Sequence, residues 1–401
     1  MGRSVARGEF TTLRIITELV RSALTRRAAG LAIDRILLEA QANADSVDLA
    51  VEMNGAVVDS RRAPLAIEHR ARGLGLTSLT VEAGGSARRF DGGPIVIVPT
   101  VSEESDGIVV AYRFVWKTSG DRDMRSVLLL PNALPRVLGS APQARPLAVI
   151  ECSARGLDMV CGPVSDRGPL QVAVCRTSAV EEVLPTVDGI ELMVTTGLVR
   201  ACGRRALATV GKRVADVLGG LEWRFGSQAA RQVVLALPGE VHAGAWGARG
   251  CVLESSPENL GVSGRFEEPN HFRLAAGLAS LWWGTGCRVS GRYGIELENT
   301  LAWAAALDWT EAHGGPAAAG RVLLHYQRRR AIRARDAAAR ARGHPRTGVV
   351  FENAFRLYRA IRRDTALQRA VAELTTACWG RWTPEGHLSR NLADLGIQLT
   401  D

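Results

Sequence analysis

Apolar residues recur in short runs along the first half of the sequence, and Gly, Asp, Ser and Pro residues separate one run from the next. Runs of about four to eight apolar or alternating residues between turn-forming residues are typical of β-strands. The pattern therefore predicts a strand-rich first half. The predicted strands are Val47–Met53, Leu76–Val81, Pro94–Val98, Ile108–Val115, Val127–Leu130, Leu147–Glu151, Leu170–Val174 and Ile190–Thr195.

The hydrophobic period changes after residue 198. Val210–Leu221 has the spacing of an amphipathic helix, and Val233–Leu237 predicts one more strand. From His271 onward the helical pattern dominates, and a further amphipathic helix is predicted near Thr11–Arg26. We expect an α+β fold in two domains. The first is a β-sandwich-like N-terminal domain of residues 1–198 with a short helix near its start, and the second is a mainly helical domain of residues 199–401.

The composition is that of a globular protein, with 46% hydrophobic and 23% charged residues, which argues against disorder and coiled coils. The longest uncharged apolar stretch, Leu274–Cys287, is too short to cross a bilayer, and the N-terminal segment lacks the apolar core of a secretory signal. We therefore expect a cytoplasmic protein with no membrane partner. The Cys residues are odd in number and form no Cys-x-x-Cys pair, so we expect free thiols.

Arginine supplies almost all of the positive charge, because only Lys117 and Lys212 are lysines among the 50 Lys and Arg residues. Abundant Ala, Gly and Val accompany the Arg residues, which is typical of a GC-rich bacterial coding sequence. The segment Arg321–Arg346 contains nine Arg and one acid, Asp336. Two interpretations stay open: a phosphate-binding surface, or a solvated helix with its linker. No nucleic-acid-binding motif accompanies the segment, so we do not expect a nucleic-acid partner.

The segment Phe272–Trp309 has the pattern of two apolar helices joined by a Gly-rich link. It contains AGLASLWWGT at Ala276–Thr285 and LENTLA at Leu297–Ala302. These blocks resemble the active-site helices of the gluzincin zinc aminopeptidases, the family of aminopeptidase N and leukotriene hydrolase, whose pattern is roughly HELAHQWWGN followed by LNEGFA. The spacing also agrees. The family's third zinc ligand comes nineteen positions after its second His, and nineteen positions after Ser280 is Asn299.

The resemblance implies a thermolysin-like helical domain built around the family's zinc site. In that site two His one helical turn apart and a carboxylate from the next helix bind Zn²⁺, and a Glu beside the first His acts as general base. Here the two His positions carry Ala276 and Ser280, the base position carries Gly277, and the third ligand position carries Asn299. The resemblance therefore implies a degenerate, peptidase-inactive homologue with no metal and no cofactor.

Further sequence blocks resemble the family and also lack its functional residues. Arg213–Glu240 is similar to the family's helix, turn and following strand, and Val241–Gly247 is similar to its GAMENWG loop. Trp246 is kept in that loop, whereas the Glu that binds the substrate's amino group in the family corresponds to Gly244. The segment before the closing helices has no Tyr where the family has its transition-state Tyr.

Three titratable residues beside the vacated cleft are candidate acid or base groups: His271, Glu296 and Glu298. Each also has a plainer interpretation, a solvent-exposed His or a salt-linked surface carboxylate. Seven residues are predicted to line the cleft, and their aromatic and small neutral side chains fit a largely apolar ligand. They are Trp246, Ala276, Gly277, Ser280, Trp282, Trp283 and Asn299.

Two functions are compatible with such a cleft. The first is a pseudoenzyme that binds a small-molecule or peptidyl ligand, or a protein partner. The second is a metal-independent enzyme of specialised metabolism, such as a cyclase, isomerase or hydrolase, that uses the same cleft. We favour the first, because the surviving titratable residues have no evident catalytic spacing.

Overall fold

The computed structural model describes a large part of the chain, in segments. The predicted helix near Thr11–Arg26 lies outside them. The described residues are 30–43, 46–58, 65–68, 75–83, 86–90, 95–98, 107–117, 127–129, 136–137, 145–146, 149–155, 157–161, 172–176, 180–187, 190–226, 232–236, 241–242, 252–254, 260, 268–284, 286–290, 293–327 and 347–397.

Strands occupy most of the described chain before Thr196, as the alternating apolar runs predict. Each predicted strand overlaps an observed one. The strands are β1 (Gly30–Ala42), β2 (Ser46–Val58), β3 (Leu65–Glu68), β4 (Gly75–Ala83), β5 (Ser86–Phe90), β6 (Ile95–Val98), β7 (Ile108–Lys117), β8 (Val127–Leu129), β9 (Arg136–Val137), β10 (Arg145–Pro146), β11 (Val149–Arg155), β12 (Leu157–Cys161), β13 (Val172–Arg176), β14 (Val180–Val187), β15 (Ile190–Thr195), β16 (Gln232–Ala236), β17 (Val241–His242), β18 (Val252–Glu254), β19 (Cys287–Ser290) and β20 (Arg381–Pro384).

The longest strands form a sheet in the order β11-β1-β2-β7-β4-β5. Its neighbours are antiparallel except for the parallel pair of β1 with β11. In β2, alternate side chains from Val47 to Met53 are buried while Asp48 is exposed, so one face of this sheet packs against a core. The other sheets are β12-β13-β8-β17, β14-β15-β16-β18, β6-β3-β9 and β10-β20-β19.

Helices dominate the described chain after Thr195, and the mixture of helices and strands is the expected α+β fold. The boundary near residue 198 and the sandwich arrangement of the first domain stay predictions. No described helix is long and apolar enough to cross a membrane. The helices are α1 (Thr196–Cys202), α2 (Arg204–Phe225), α3 (Glu268–Ala279), α4 (Gly294–Gly314), α5 (Ala318–Gln327), α6 (Thr347–Arg363), α7 (Thr365–Cys378) and α8 (Glu385–Asp394).

Helix α4 is the central element of the helical part, because α2, α3, α5 and α6 all pack against it. Most of its residues from Leu297 to Thr310 are buried, which is the pattern of a helix surrounded by protein rather than one with a single apolar face. Two buried acids, Glu298 and Asp308, interrupt its apolar surface. The parallel pairing of β19 with β20 brings the chain that precedes α4 against the chain that follows α7.

Candidate functional site

The first block of the aminopeptidase resemblance lies at the C-terminal end of α3. Ala276 and Ser280 are one helical turn apart and are both buried, and Gly277 is half-buried. The Ser280 hydroxyl donates a hydrogen bond of 2.6 Å to the Gly277 carbonyl oxygen, and the Ser280 amide donates to the Ala276 carbonyl at 3.2 Å. The serine side chain therefore closes the last turn of the helix.

A tight turn follows α3 and buries both tryptophans of the WWG block. The Trp282 indole N–H donates to the Gly226 carbonyl at 3.3 Å, which fixes the turn against the end of α2. Trp283 is also fully covered. Gly284 has a φ of 118°, a conformation that side chains disfavour, and its amide donates to the Cys287 carbonyl at 2.9 Å. This turn leads directly into β19.

Glu298 is the only candidate acid or base that the structure places against this turn, among the residues described. Its side chain has no solvent exposure, and its Oε1 accepts a 2.8 Å hydrogen bond from the Val289 amide. The Arg288 Nε lies 3.4 Å from the same oxygen, and Arg288 also donates to the Gly284 carbonyl at 2.5 Å. The surface-carboxylate interpretation of Glu298 is therefore wrong. The carboxylate stabilises the loop between α3 and α4.

Gly284 lies close to both the Ser280 carbonyl oxygen and the Glu298 carboxylate. A Cβ atom on Gly284 would lie 3.6 Å from Glu298 Oε2 and 3.6 Å from the Ser280 carbonyl oxygen. The two blocks of the resemblance thus approach each other, with α3 packed along α4. Asn299 and Glu296 are half-buried on α4. Convergence of Asn299 with Ala276 and Ser280 on one cavity stays a prediction.

His271 lies in the first half of α3 and is only 3% exposed, so its interpretation as a solvent-exposed residue is wrong. Its ring contacts the Trp309 ring edge-on, with 6.4 Å between the ring centroids. Burial, and to a smaller extent the positive charge of Arg213, lowers the pKa of His271 from 6.5 to about 4. The imidazole is therefore neutral at physiological pH.

Trp246 lies outside the described residues, as do residues 328–346, which hold most of the Arg-rich segment and the position of the family's transition-state Tyr. The described part of the chain contains no group of three His, Cys, Asp or Glu residues arranged to hold a metal ion. Cys202, Cys287 and Cys378 are free thiols, and burial raises the pKa of each.

The sequence reasoning missed a second polar cluster, which lies about Asp308. Asp308 is 1% exposed and forms ion pairs with Arg224 from α2 and, at 3.6 Å, with Arg362 from α6. Burial and the nearby Arg362 lower the pKa of Arg224. The signal was an acid directly after the uncharged run from Asn299 to Leu307, since acids in such positions are almost always paired.

Arg224 and Phe225 also line a small cavity beside this cluster, between α2, α4, α6 and α7, with a volume of about 20 Å³. That is room for about one water molecule. A larger, open groove lies between α7 and α8 at Leu374 and Leu395. Neither space is lined by the residues predicted to form the cleft.

No protein-family model matches the sequence, and no curated protein matches it. In structure, the chain is similar to native leukotriene A4 hydrolase from Saccharomyces cerevisiae, with a TM-score of 0.59 and 9% identity over 91% of this chain and 65% of that chain. It is also similar to Legionella pneumophila aminopeptidase A, solved in complex with aspartic acid, with a TM-score of 0.54 and 11% identity over 92% of this chain and 48% of that chain. The chain thus spans less than two thirds of either neighbour's length. The aminopeptidase-like fold implied by the sequence is confirmed.

Proposed function

We propose that this chain is a peptidase-inactive, zinc-free protein of aminopeptidase-like fold, which acts by binding a small-molecule or peptidyl ligand, or a protein partner, where α3 meets α4. One observation carries the proposal: the four positions that correspond to the family's zinc ligands and general base hold Ala276, Gly277, Ser280 and Asn299.

The donor atoms at these positions do not fit Zn²⁺. Zinc sites take imidazole, thiolate or carboxylate ligands, and a catalytic zinc needs three of them from the protein. Ala276 has no donor atom, whereas Asn299 offers a neutral amide and Ser280 a neutral hydroxyl, which donates to the Gly277 carbonyl. Gly277 supplies no base for the activation of water. These four positions therefore supply neither the metal ligands nor the base of zinc-dependent hydrolysis.

The surviving titratable groups favour binding over catalysis. The carboxylate of Glu298 is buried and already accepts the Val289 amide beside Arg288. His271 is buried and largely out of reach of solvent. A general acid or base needs to reach the substrate atom with which it exchanges a proton. Of the three candidates, only Glu296 is partly accessible.

The partly accessible residues on α3 and α4 suggest the class of ligand. Gly277, Glu296 and Asn299 are each half-buried. A carboxylate and a carboxamide three residues apart on α4 suit a ligand with an amine or amide donor on a largely apolar body. A peptide N-terminus and a small amine both have this chemistry.

The proposal is tested first on the purified protein by elemental analysis and by hydrolysis of aminoacyl reporter substrates. We expect well below one zinc per chain and no hydrolysis above the buffer rate. The matched variant is Ala276→His/Gly277→Glu/Ser280→His/Asn299→Glu, which restores the family's ligand set. Tightly bound zinc in the unaltered protein, with peptidase activity abolished by a chelator, would overturn the proposal.

Binding is tested by thermal shift with a panel of free amino acids, amines and dipeptides. We expect a ligand that raises the melting temperature of the unaltered protein but not that of Asn299→Ala or Glu296→Gln, since a ligand that binds only the folded state stabilises it. Glu352→Gln on the exposed face of α6 is the control. Mass spectrometry of the recovered ligand then separates the two functions. A chemically altered ligand would support the metal-independent enzyme instead.

A further inference from the structure

We infer that the exposed face of α6 is a docking surface for an extended acidic segment of another protein. The surface, here called the arginine row, consists of Arg356, Arg359 and Arg363. It lies on a different helix from the candidate site, so the inference does not rest on the proposed function.

The arginine row arises from the amphipathic pattern of α6. Phe351, Ala354 and Leu357 are buried on one side of the helix, whereas the three arginines are exposed. They stand at intervals of three and four residues and therefore share one face. With a rise of 1.5 Å per residue, the guanidinium stems are spaced by about 4.5 and 6 Å along the helix axis.

The arginine row is poorly neutralised by its own helix. Arg356 shares an exposed ion pair with Glu352, at 2.6 Å, and Arg359 lies over the Phe355 ring with its guanidinium carbon 6.0 Å from the ring centroid. Among the described residues, no carboxylate forms an ion pair with Arg359 or Arg363.

The neighbouring Arg362 is oriented differently. It pairs with Asp308 and Glu311 on α4, with its Nη2 3.1 Å from the Glu311 carboxylate. The positive charge of the outer face therefore belongs to the arginine row. In sequence, residues 328–346 before α6 add eight Arg and one acid, Asp336, so the local charge balance favours an anionic partner.

The geometry favours an acidic peptide over a nucleic acid. An extended chain with an acid at every second residue repeats about every 6.6 Å, so three acids span about 13 Å against about 10.5 Å for the three arginine stems, a difference that long arginine side chains can bridge. Guanidinium groups bind carboxylates through paired hydrogen bonds. Glu352 and Asp364 stand at the two ends of the arginine row. A peptide can place neutral residues opposite them, whereas a phosphate backbone carries a charge at every nucleotide. The face also offers no exposed aromatic ring for base stacking, since Phe355 is half-buried and Tyr358 is buried.

The test measures fluorescence anisotropy of a fluorescein-labelled peptide of alternating Glu and Ser, in about 0.1 M salt, where exposed charges are partly screened. An oligo-dT of equal length is the second probe. The test variant is Arg356→Gln/Arg359→Gln/Arg363→Gln. The matched control is Arg200→Gln/Arg205→Gln/Lys212→Gln, which removes the same charge from exposed positions on α1 and α2.

We expect the unaltered chain to bind the peptide, the test variant to lose at least about tenfold in affinity, and the control to lose less than about twofold, as charge-assisted contacts predict. Circular dichroism checks that each variant is folded, and the single variant Arg359→Gln replaces the triple if it is not. Three results overturn the inference: no binding by the unaltered chain, equal losses in the two triple variants, or tighter binding of the oligo-dT through the arginine row.

Discussion

The carboxylates of Glu298 and Asp308 lie on the same buried helix, α4, but their arginine partners come from different distances along the chain. Arg288, the partner of Glu298, belongs to β19, which leads into α4, and the same carboxylate accepts an amide from that strand. Asp308 pairs with Arg224 on α2 and Arg362 on α6. One carboxylate holds the strand that precedes its own helix, whereas the other joins three helices. We therefore expect their removal to differ in both the size and the extent of the damage.

The largest effect is expected for Asp308→Asn. The change leaves Arg224, which is 16% exposed, without its carboxylate, and breaking a buried ion pair by removing one partner costs about 3–5 kcal/mol. Chemical denaturation measures the free energy of unfolding. The control is Glu311→Gln, whose partner Arg362 is half-exposed, and its expected cost is below about 1 kcal/mol. Equal losses of unfolding free energy in the two variants would show that Asp308 stabilises the fold no more than Glu311 does.

His271 is a third buried ionisable group, and it differs from the two arginine-paired carboxylates because the fold keeps it neutral. Its pKa is about 4 in the folded protein against 6.5 ordinarily, so between these values the unfolded chain binds a proton that the folded chain does not. Its contribution to stability is complete above pH 6.5 and falls by up to about 3 kcal/mol as the pH drops toward 4.

Denaturation at a series of pH values measures the slope of the unfolding free energy against pH, in the unaltered protein and in His271→Phe. We expect the phenylalanine variant to lose the part of the slope that lies between pH 6.5 and 4. If His271→Phe has the same slope as the unaltered protein, His271 takes up its proton in the folded state as readily as in the unfolded state.

Glu298→Gln is expected to cost less, about 1–3 kcal/mol, because the amide oxygen still accepts the Val289 N–H while the pairing with Arg288 is lost. Hydrogen exchange separates local from global damage. We expect faster exchange in the turn from Gly284 to Ser290, and unchanged exchange in α2 and α6. Exchange that rises equally in all three regions would remove the distinction between the two carboxylates.

The smallest effect is expected for Arg362→Gln. This side chain is 47% exposed, so its pairs with Asp308 and Glu311 are screened by water, and the cost is at most about 1 kcal/mol. Asp308 keeps Arg224 in this variant. If the same denaturation curves show a loss of unfolding free energy as large as that of Asp308→Asn, Arg362 rather than Arg224 is the main partner of Asp308.

Local pattern predicted the elements that carry a clear period. The alternation of β2 and β7 and the helical spacing of α2 follow directly from where their apolar residues stand. Strand β1 was missed. Its sequence holds Leu, Glu and Ala in a run that also suits a helix, and the strand forms because it pairs with β2 and with the distant β11.

The candidate site was predictable as an aligned pattern, but the surroundings of its side chains were not. The spacing from Ser280 to Asn299 is visible in the sequence, whereas the burial of Glu298 depends on how the loop from Gly284 to Ser290 folds beneath α4. His271 shows the same limit, since its burial depends on the approach of Trp309 from another helix. Tertiary packing decides such environments, and no local period reports it.

The parallel pairing of β19 with β20 also bears on the order in which the protein can assemble during synthesis. Cys287–Ser290 finds its strand partner only when Arg381–Pro384 has left the ribosome, after α4, α5, α6 and α7 have been made. Until then the loop that meets Glu298 lacks its hydrogen-bonded neighbour. Contacts between such distant segments slow folding. The nascent chain therefore depends on β20, which is made after α7, to complete the region where its aminopeptidase resemblance is strongest.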